Sequence, residues 1–256
     1  MVNWTYRGTP ISTETFQWAM QGDNAWASQA IERDGKWYWY ICANDTIKKL
    51  HGIGVAVADR PEGPYSDPLK KPLVPGAFGY IDPSVFIDDD GQAYLFWGNN
   101  GLWYAKLNKD MISLGSEVIP VKELNDSTAF GPLVMKRDYQ LNKRMLKTNY
   151  EEGPWVFKRN GLYYMVYAAG GVPEHMAYST AKSIHGPWKY QGRIMNEATN
   201  SFTIHGGSIE YHNRHFMFYH NGALPNGGGF RRSTCIEEFK FGEDGKIPFI
   251  PFTKEG

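Results

Sequence analysis

A short apolar strand, a polar turn and an aromatic strand recur four times along this chain, and that repeat restricts the fold more than any other feature. The copies are "AIERDGKWYWYICA" (30–43), "VFIDDDGQAYLFWG" (85–98), "VFKRNGLYYMVYAA" (156–169) and "SIEYHNRHFMFYHN" (208–221). Asp34-Gly35 and Asn160-Gly161 tolerate positive φ at both positions, which a tight antiparallel hairpin requires. Asp90-Gly91 reads equally well and His212-Asn213 more weakly. Later strands repeat too: "PEGPYSD" (61–67) and "IHGPWKY" (184–190) share a Gly-Pro-aromatic step after an alternating strand. From turn to turn the spacing is 56 residues between Gly35 and Gly91, then 70 to Gly161 and 52 to Asn213. Units of this length with about four strands each read as propeller blades. No segment carries a convincing amphipathic helical pattern. The expectation is an all-β propeller forming one domain over residues 1–256. An irregular β-sandwich is the weaker alternative, because the units recur in sequence.

Composition agrees with short aromatic strands joined by tight turns: 9 Trp, 16 Tyr, 14 Phe and 28 Gly in 256 residues. Aromatic faces also suit sugar rings, although most such residues pack cores. Lys+Arg and Asp+Glu are equal at 27 each, so no basic excess points to nucleic acid or an acidic membrane. No apolar run approaches the ~18 residues of a membrane span, and "MVNW" does not open a signal peptide. Cys42 and Cys235 lie in strand-like runs and read as buried free thiols rather than a disulfide framework. They leave the compartment open.

Carboxylates stand at informative positions. Eight residues before the turn Asp or Asn, the first three repeats place Trp26, Asp82 and Glu152; the fourth lands on Ile204, beside His205. In a propeller, equivalent positions before the innermost strands surround one axis, so Asp82 and Glu152 are expected to face a common cavity. Glu151 points elsewhere by strand alternation, in a structural or solvated role. Paired carboxyl groups in a partly desolvated pocket raise one another's pKa, so Glu152 is expected to sit above the usual carboxylate range. Glycosidic cleavage needs such a proton donor, with a base or nucleophile opposite. For Asp82 alone, an Asx turn in "IDPSV" is an equally good account.

"DNAWASQAIERDGKWYWY", "IDPSVFIDDDGQAYLFWG", "EGPWVFKRNGLYYMVYA" and "GGGFRRSTCIEEF" together resemble glycoside hydrolase family 43, in family order and over essentially the whole chain. The resemblance implies a five-bladed β-propeller cutting xylose- or arabinose-containing plant polysaccharides or oligosaccharides with inversion. "HNGALPNGGGFRRS" leans toward the α-L-arabinofuranosidase/β-xylosidase group. It implies Glu152 as general acid, Asp82 as the carboxylate that tunes and orients it, and Trp26 and Arg232 as substrate contacts, with Arg231 on the opposite face. His205 resembles a histidine beside an axial calcium or water cluster; no cofactor is required, and a structural calcium is the one option. A secreted or periplasmic location accords with such a substrate.

The family's general-base Asp precedes its first hairpin in blade one, and no position here corresponds. Asp23 belongs to the second blade. "WTYRG" (4–8) matches the blade-closing "WKYQG" (188–192). The expectation is therefore four blades plus the last strand of blade one, N-terminally truncated, with little hydrolase activity in this chain. A non-catalytic carbohydrate-binding propeller or inactive fragment is the alternative reading.

Overall fold

The computed structural model describes residues 3–133, 135–137, 143–145 and 148–253. All four repeats form antiparallel hairpins. The first is β1 (Gln29–Arg33) with β2 (Lys36–Asn44), followed by β3 (His51–Ala58). The second is β4 (Ser84–Ile87) with β5 (Ala93–Trp97), followed by β6 (Trp103–Leu107) and β7 (Ile119–Pro120). A two-stranded ribbon of β8 (Met135–Arg137) and β9 (Lys143–Met145) comes next. The third hairpin pairs β10 (Tyr150–Arg159) with β11 (Leu162–Ala169), continued by β12 (His175–Ala181) and β13 (Lys189–Met195). The fourth pairs β14 (Gly207–Tyr211) with β15 (Arg214–Asn221), continued by β16 (Ser233–Phe239).

The four larger sheets are meanders in chain order, β1–β2–β3, β4–β5–β6–β7, β10–β11–β12–β13 and β14–β15–β16. Among the described residues helix is confined to the single turn Ser127–Phe130 and two short 3-10 segments, Thr13–Thr15 and Lys122–Asn125. The chain divides into two compact units, one of Met1–Trp97 with Ala105–Val118 and the other of Gly98–Tyr104 with Ile119–Gly256.

Turn chemistry explains three hairpins directly. Asp34 and Gly35 have φ of 54° and 77°, and Asn160 and Gly161 50° and 74°, so Arg33 faces Lys36 and Arg159 faces Leu162. His212 and Asn213 do the same at 51° and 58° without a glycine, pairing Tyr211 with Arg214. This turn is tighter than its sequence suggests, because Asn and His tolerate the left-handed region better than most residues. Asp90-Gly91 differs from expectation. Only Gly91 has positive φ (81°), Asp88 N–H donates to Gln92 O, and the loop has three residues. That is the three-residue hairpin with glycine in the left-handed position.

The N-terminal match also differs. Residues 3–12 join none of the sheets, whereas "WKYQG" runs into β13. A shared side-chain pattern does not make a strand; an edge to pair with does.

Inner strands read as near-continuous buried runs rather than alternating ones. All five residues of β5 are buried, as are seven of the eight in β11. Such strands have both faces covered. In the first unit Phe16, Trp18, Ile41 and Ala56 share a core cluster. In the second, Val166, Met176, Tyr178, Ile204 and Met217 share another with Phe239 and Ile250. Cys42 and Cys235 are buried free thiols, as expected.

Met217 is fully buried in the second cluster. Met217→Ala should therefore cost about 2–5 kcal/mol, the usual range for emptying a core methionine site. Urea unfolding followed by fluorescence checks this, and a midpoint equal to the parent's would mean that the site collapses without loss.

Candidate active site

Glu152 is positioned by an irregular start to β10. Tyr150 faces Ala169, Glu152 faces Ala168 and Trp155 faces Val166, with register shifts between each pair. Bulges of this kind re-aim a side chain and interrupt regular alternation. Gly153 follows at φ +63°, and a Cβ there would lie 3.1 Å from both Cε1 and Nδ1 of His205. The missing side chain lets the imidazole pack against the strand. His205 Nε2 stands 2.8 Å from Glu152 Oε1, and because a carboxylate only accepts, the nitrogen is the donor. Asn99 Nδ2 donates to Oε2 at 2.6 Å. Both carboxylate oxygens are thus held.

The segment carrying Asn99 is fastened to the same stretch of β10. Tyr150 Oη donates to Gly98 O at 2.8 Å, and Asn100 N–H donates to Glu151 O at 2.7 Å. Glu151, expected to be structural or solvated, is buried.

Opposite, His205 sits in the loop between β13 and β14. Ile204 beside it is fully buried in the second core cluster, and its N–H donates to Glu174 Oε2 at 3.0 Å. Glu174 N–H in turn donates to Phe202 O. His220 on β15 lies 6.1 Å from His205, ring centre to ring centre. Its Nε2 is 3.1 Å from Thr203 O, so that nitrogen carries the proton. Burial above all, then the charges of His205 and Arg232, lowers the His220 pKa to about 3, which keeps the ring neutral. Arg232 Nη1 donates to Thr203 Oγ1 at 3.3 Å, while Arg231 turns to Asn226 O.

These neighbours decide the charge on Glu152. Burial pushes its carboxyl up, but the charge and hydrogen bond of His205, the Asn99 amide and the Arg232 charge together outweigh that, and the pKa lies below the ordinary value. The raised pKa expected from paired carboxylates is corrected accordingly. Cationic and donor partners within the unit were not visible in the carboxylate spacing.

In the first unit Asp82 precedes β4, is 3% exposed and has φ of 60°. Positive φ in a non-glycine residue is uncommon and clusters at functional sites. Burial first, then the Asp82 charge, pushes the nearby Cys42 thiol up to about 12. Trp26 is half-buried and stacks on His51, with centroids 4.7 Å apart and planes 25° apart. Asp23 accepts from Asn44 Nδ2 and from Asn24 N–H, which lowers its pKa and ties it to the end of β2.

The common offset of eight residues therefore meets three local geometries: a loop at Trp26, a left-handed residue at Asp82 and a bulged strand at Glu152. Sequence reading brought Glu152, His205 and Arg232 forward, and the second unit gathers them. It missed Asn99, Glu174 and His220, which fall outside the repeat offset. The only available signal was Asn99-Asn100-Gly101 directly after the aromatic strand.

Comparisons with known proteins bear on this site. The family model described as Glycosyl hydrolases family 43 matches residues 1–247. The chain is 33% identical to xylosidase/arabinosidase 43A of Humicola insolens, over 95% of this chain and 79% of that protein. It is 30% identical to a beta-xylosidase of Xylanibacter ruminicola, again over 95% and 79%. Among solved structures, a family 43 beta-xylosidase/alpha-arabinofuranosidase from a compost microbial metagenome, crystallised with xylotriose in a calcium-free form, superposes with a TM-score of 0.80. Its identity is 27%, covering 96% of this chain and 79% of that one. A family 43 enzyme from Xanthomonas citri with xylotriose gives a TM-score of 0.79 at 27% identity, covering 96% and 77%.

A carboxyl whose folded pKa is depressed stabilises the fold above its unfolded value, about 4.3 for Glu, and loses that contribution as pH falls through the folded value. His205 heads the lowering influences on Glu152. His205→Ala should therefore raise the Glu152 titration midpoint and shift the loss of its contribution toward higher pH. Carboxyl-carbon NMR of the two proteins reads this, and an unmoved midpoint would remove His205 as the cause.

Proposed function

Because the chain belongs to glycosyl hydrolases family 43, we propose that it hydrolyses xylosidic or arabinofuranosidic bonds in plant polysaccharides or oligosaccharides, with Glu152 as general acid on a five-bladed propeller. One observation carries the assignment: a buried carboxylate with both oxygens held, one of them by an imidazole that can exchange a proton with it. The relatives named xylosidase/arabinosidase and beta-xylosidase support the sugar class.

A general acid must hold its proton when substrate is bound. The resting carboxylate is ionised beside the His205 proton. A sugar that displaces water from the pair disfavours both charges, and in that drier setting the proton moves from His205 Nε2 to Glu152 Oε1. Asp82, in this reading, is the carboxylate that tunes and orients the acid. The protonated carboxyl then donates to the glycosidic oxygen as the bond to the anomeric carbon breaks. Arg232 and Trp26 are assigned to the substrate, the first through hydroxyl hydrogen bonds and the second through its ring face.

Inversion requires a base about 6.5–9.5 Å from the acid to activate water on the opposite face, a role for which none of the residues assigned above is proposed. No cofactor enters this scheme. Calcium takes six to eight oxygen ligands, whereas the group around His205 in the second unit offers the Glu152 carboxylate and imidazole nitrogens. An imidazole nitrogen is a poor ligand for calcium, and no step runs through a metal.

Glu152→Gln should reduce turnover of substrates with poor leaving groups by about 10²–10⁴-fold. Activated aryl xylosides and arabinofuranosides need less proton donation and should lose less. Side-by-side kinetics on xylobiose and a nitrophenyl xyloside test this; equal losses on both would sink the general-acid assignment. Proton NMR of the first-formed sugar should show inverted anomeric configuration.

A further inference from the structure

Phe230 is 76% exposed, and it is not loosely placed. Gly228 and Arg231 exchange both backbone hydrogen bonds, leaving Gly229 and Phe230 at the tip of a tight turn. Phe202 packs edge-to-face against Phe230, centroids 5.2 Å apart and planes at 71°. Gly229 permits this contact, since a Cβ there would overlap Phe202 Cε1. The aromatic pair is thus held by a turn, a ring contact and a glycine.

Its two members stand on the two segments that lead into the Glu152 site. Phe230 is two residues before Arg232, whose charge acts on Glu152. Phe202 precedes Thr203, which accepts the Arg232 hydrogen bond, and Ile204 and His205 follow. An exposed, fixed aromatic surface beside a buried polar cluster marks a ligand-binding rim. Sugar rings offer C–H groups along one face, which pack on an aromatic ring while the hydroxyls stay in water. We propose that Phe230, backed by Phe202, is a stacking platform for a sugar unit beyond the one whose bond is cut, and so sets a preference for oligosaccharides over single sugars. The proposal rests on the glycosidase reading above.

Calorimetric titration of xylose and xylotriose tests it, in the Glu152→Gln background so that sugar is not consumed. The chain with Phe230 intact should bind xylotriose more tightly than xylose. Adding Phe230→Ala should weaken xylotriose by about threefold to tenfold, the range of one aromatic contact, and leave xylose unchanged. Phe230→Trp should restore the preference, which a purely structural role would not do. Equal affinity for the two sugars with Phe230 intact, unchanged xylotriose affinity in Phe230→Ala, or an equal loss for both sugars would each overturn the platform. Binding of neither sugar with Phe230 intact would overturn the platform together with the sugar class proposed above. Xylose release from xylotriose at the parent's rate in the Glu152→Gln background would overturn the acid assignment alone, since the affinity ratios still read Phe230.

Discussion

The hydrogen bonds that grip both oxygens of Glu152 are the constraint around which the second unit is organised. A buried carboxylate is costly unless its lone pairs are satisfied, and here His205 and Asn99 satisfy them from two separate segments. Each segment must then be fixed in its turn. The Asn99 segment is fastened by Tyr150 and by the backbone of Glu151. The His205 loop is fastened by Glu174 through Ile204 N–H, while Ile204 itself anchors in the apolar core. The bulge of β10 and the bare backbone at Gly153 make the approach of the imidazole sterically feasible. Loss of regular strand geometry at this one point is what aims the carboxylate.

Charge within the site follows from the same packing. Burial alone would leave Glu152 protonated more readily than a free carboxyl, and burial alone would leave His220 neutral. The first tendency is reversed by cationic and donor neighbours, whereas the second is reinforced by them. One imidazole is thereby kept as a neutral donor to Thr203 O, and the other faces a carboxylate with which it can trade a proton. That asymmetry suits the role of general acid proposed for Glu152.

Aromatic residues serve two purposes in the chain, and exposure separates them. Tyr164, Tyr178 and Phe239 fill the second unit's core, and Phe16 and Trp18 the first's. Trp26 and Phe230 instead keep ring area accessible, each braced by a neighbouring ring, His51 in one case and Phe202 in the other. A braced ring loses little conformational freedom when a ligand covers it, so more of the contact energy appears as affinity.

Local chemistry was legible without coordinates wherever a short-range rule governs it. Asp34-Gly35 and Asn160-Gly161 specify hairpins because few residue pairs accept positive φ twice; the recurring strand–turn–strand unit specifies sequential antiparallel sheets. The repeat also pointed to Asp82 and Glu152, and motif resemblance pointed to His205 and Arg232. Other features depended on distant partners. Asp90-Gly91 took a longer turn, and "WTYRG" joined no sheet because a strand exists only beside another edge. The lowered Glu152 pKa required knowing that Asn99, 53 positions away, and His205, 53 positions away on the other side, meet one carboxylate. Sequence alone therefore determined the hairpins and the all-β class, and it singled out Glu152 as the carboxylate proposed to act as the acid. Tertiary structure decided which neighbours touch that acid and hence its charge, because electrostatic interaction depends on distance through space and not on separation along the chain.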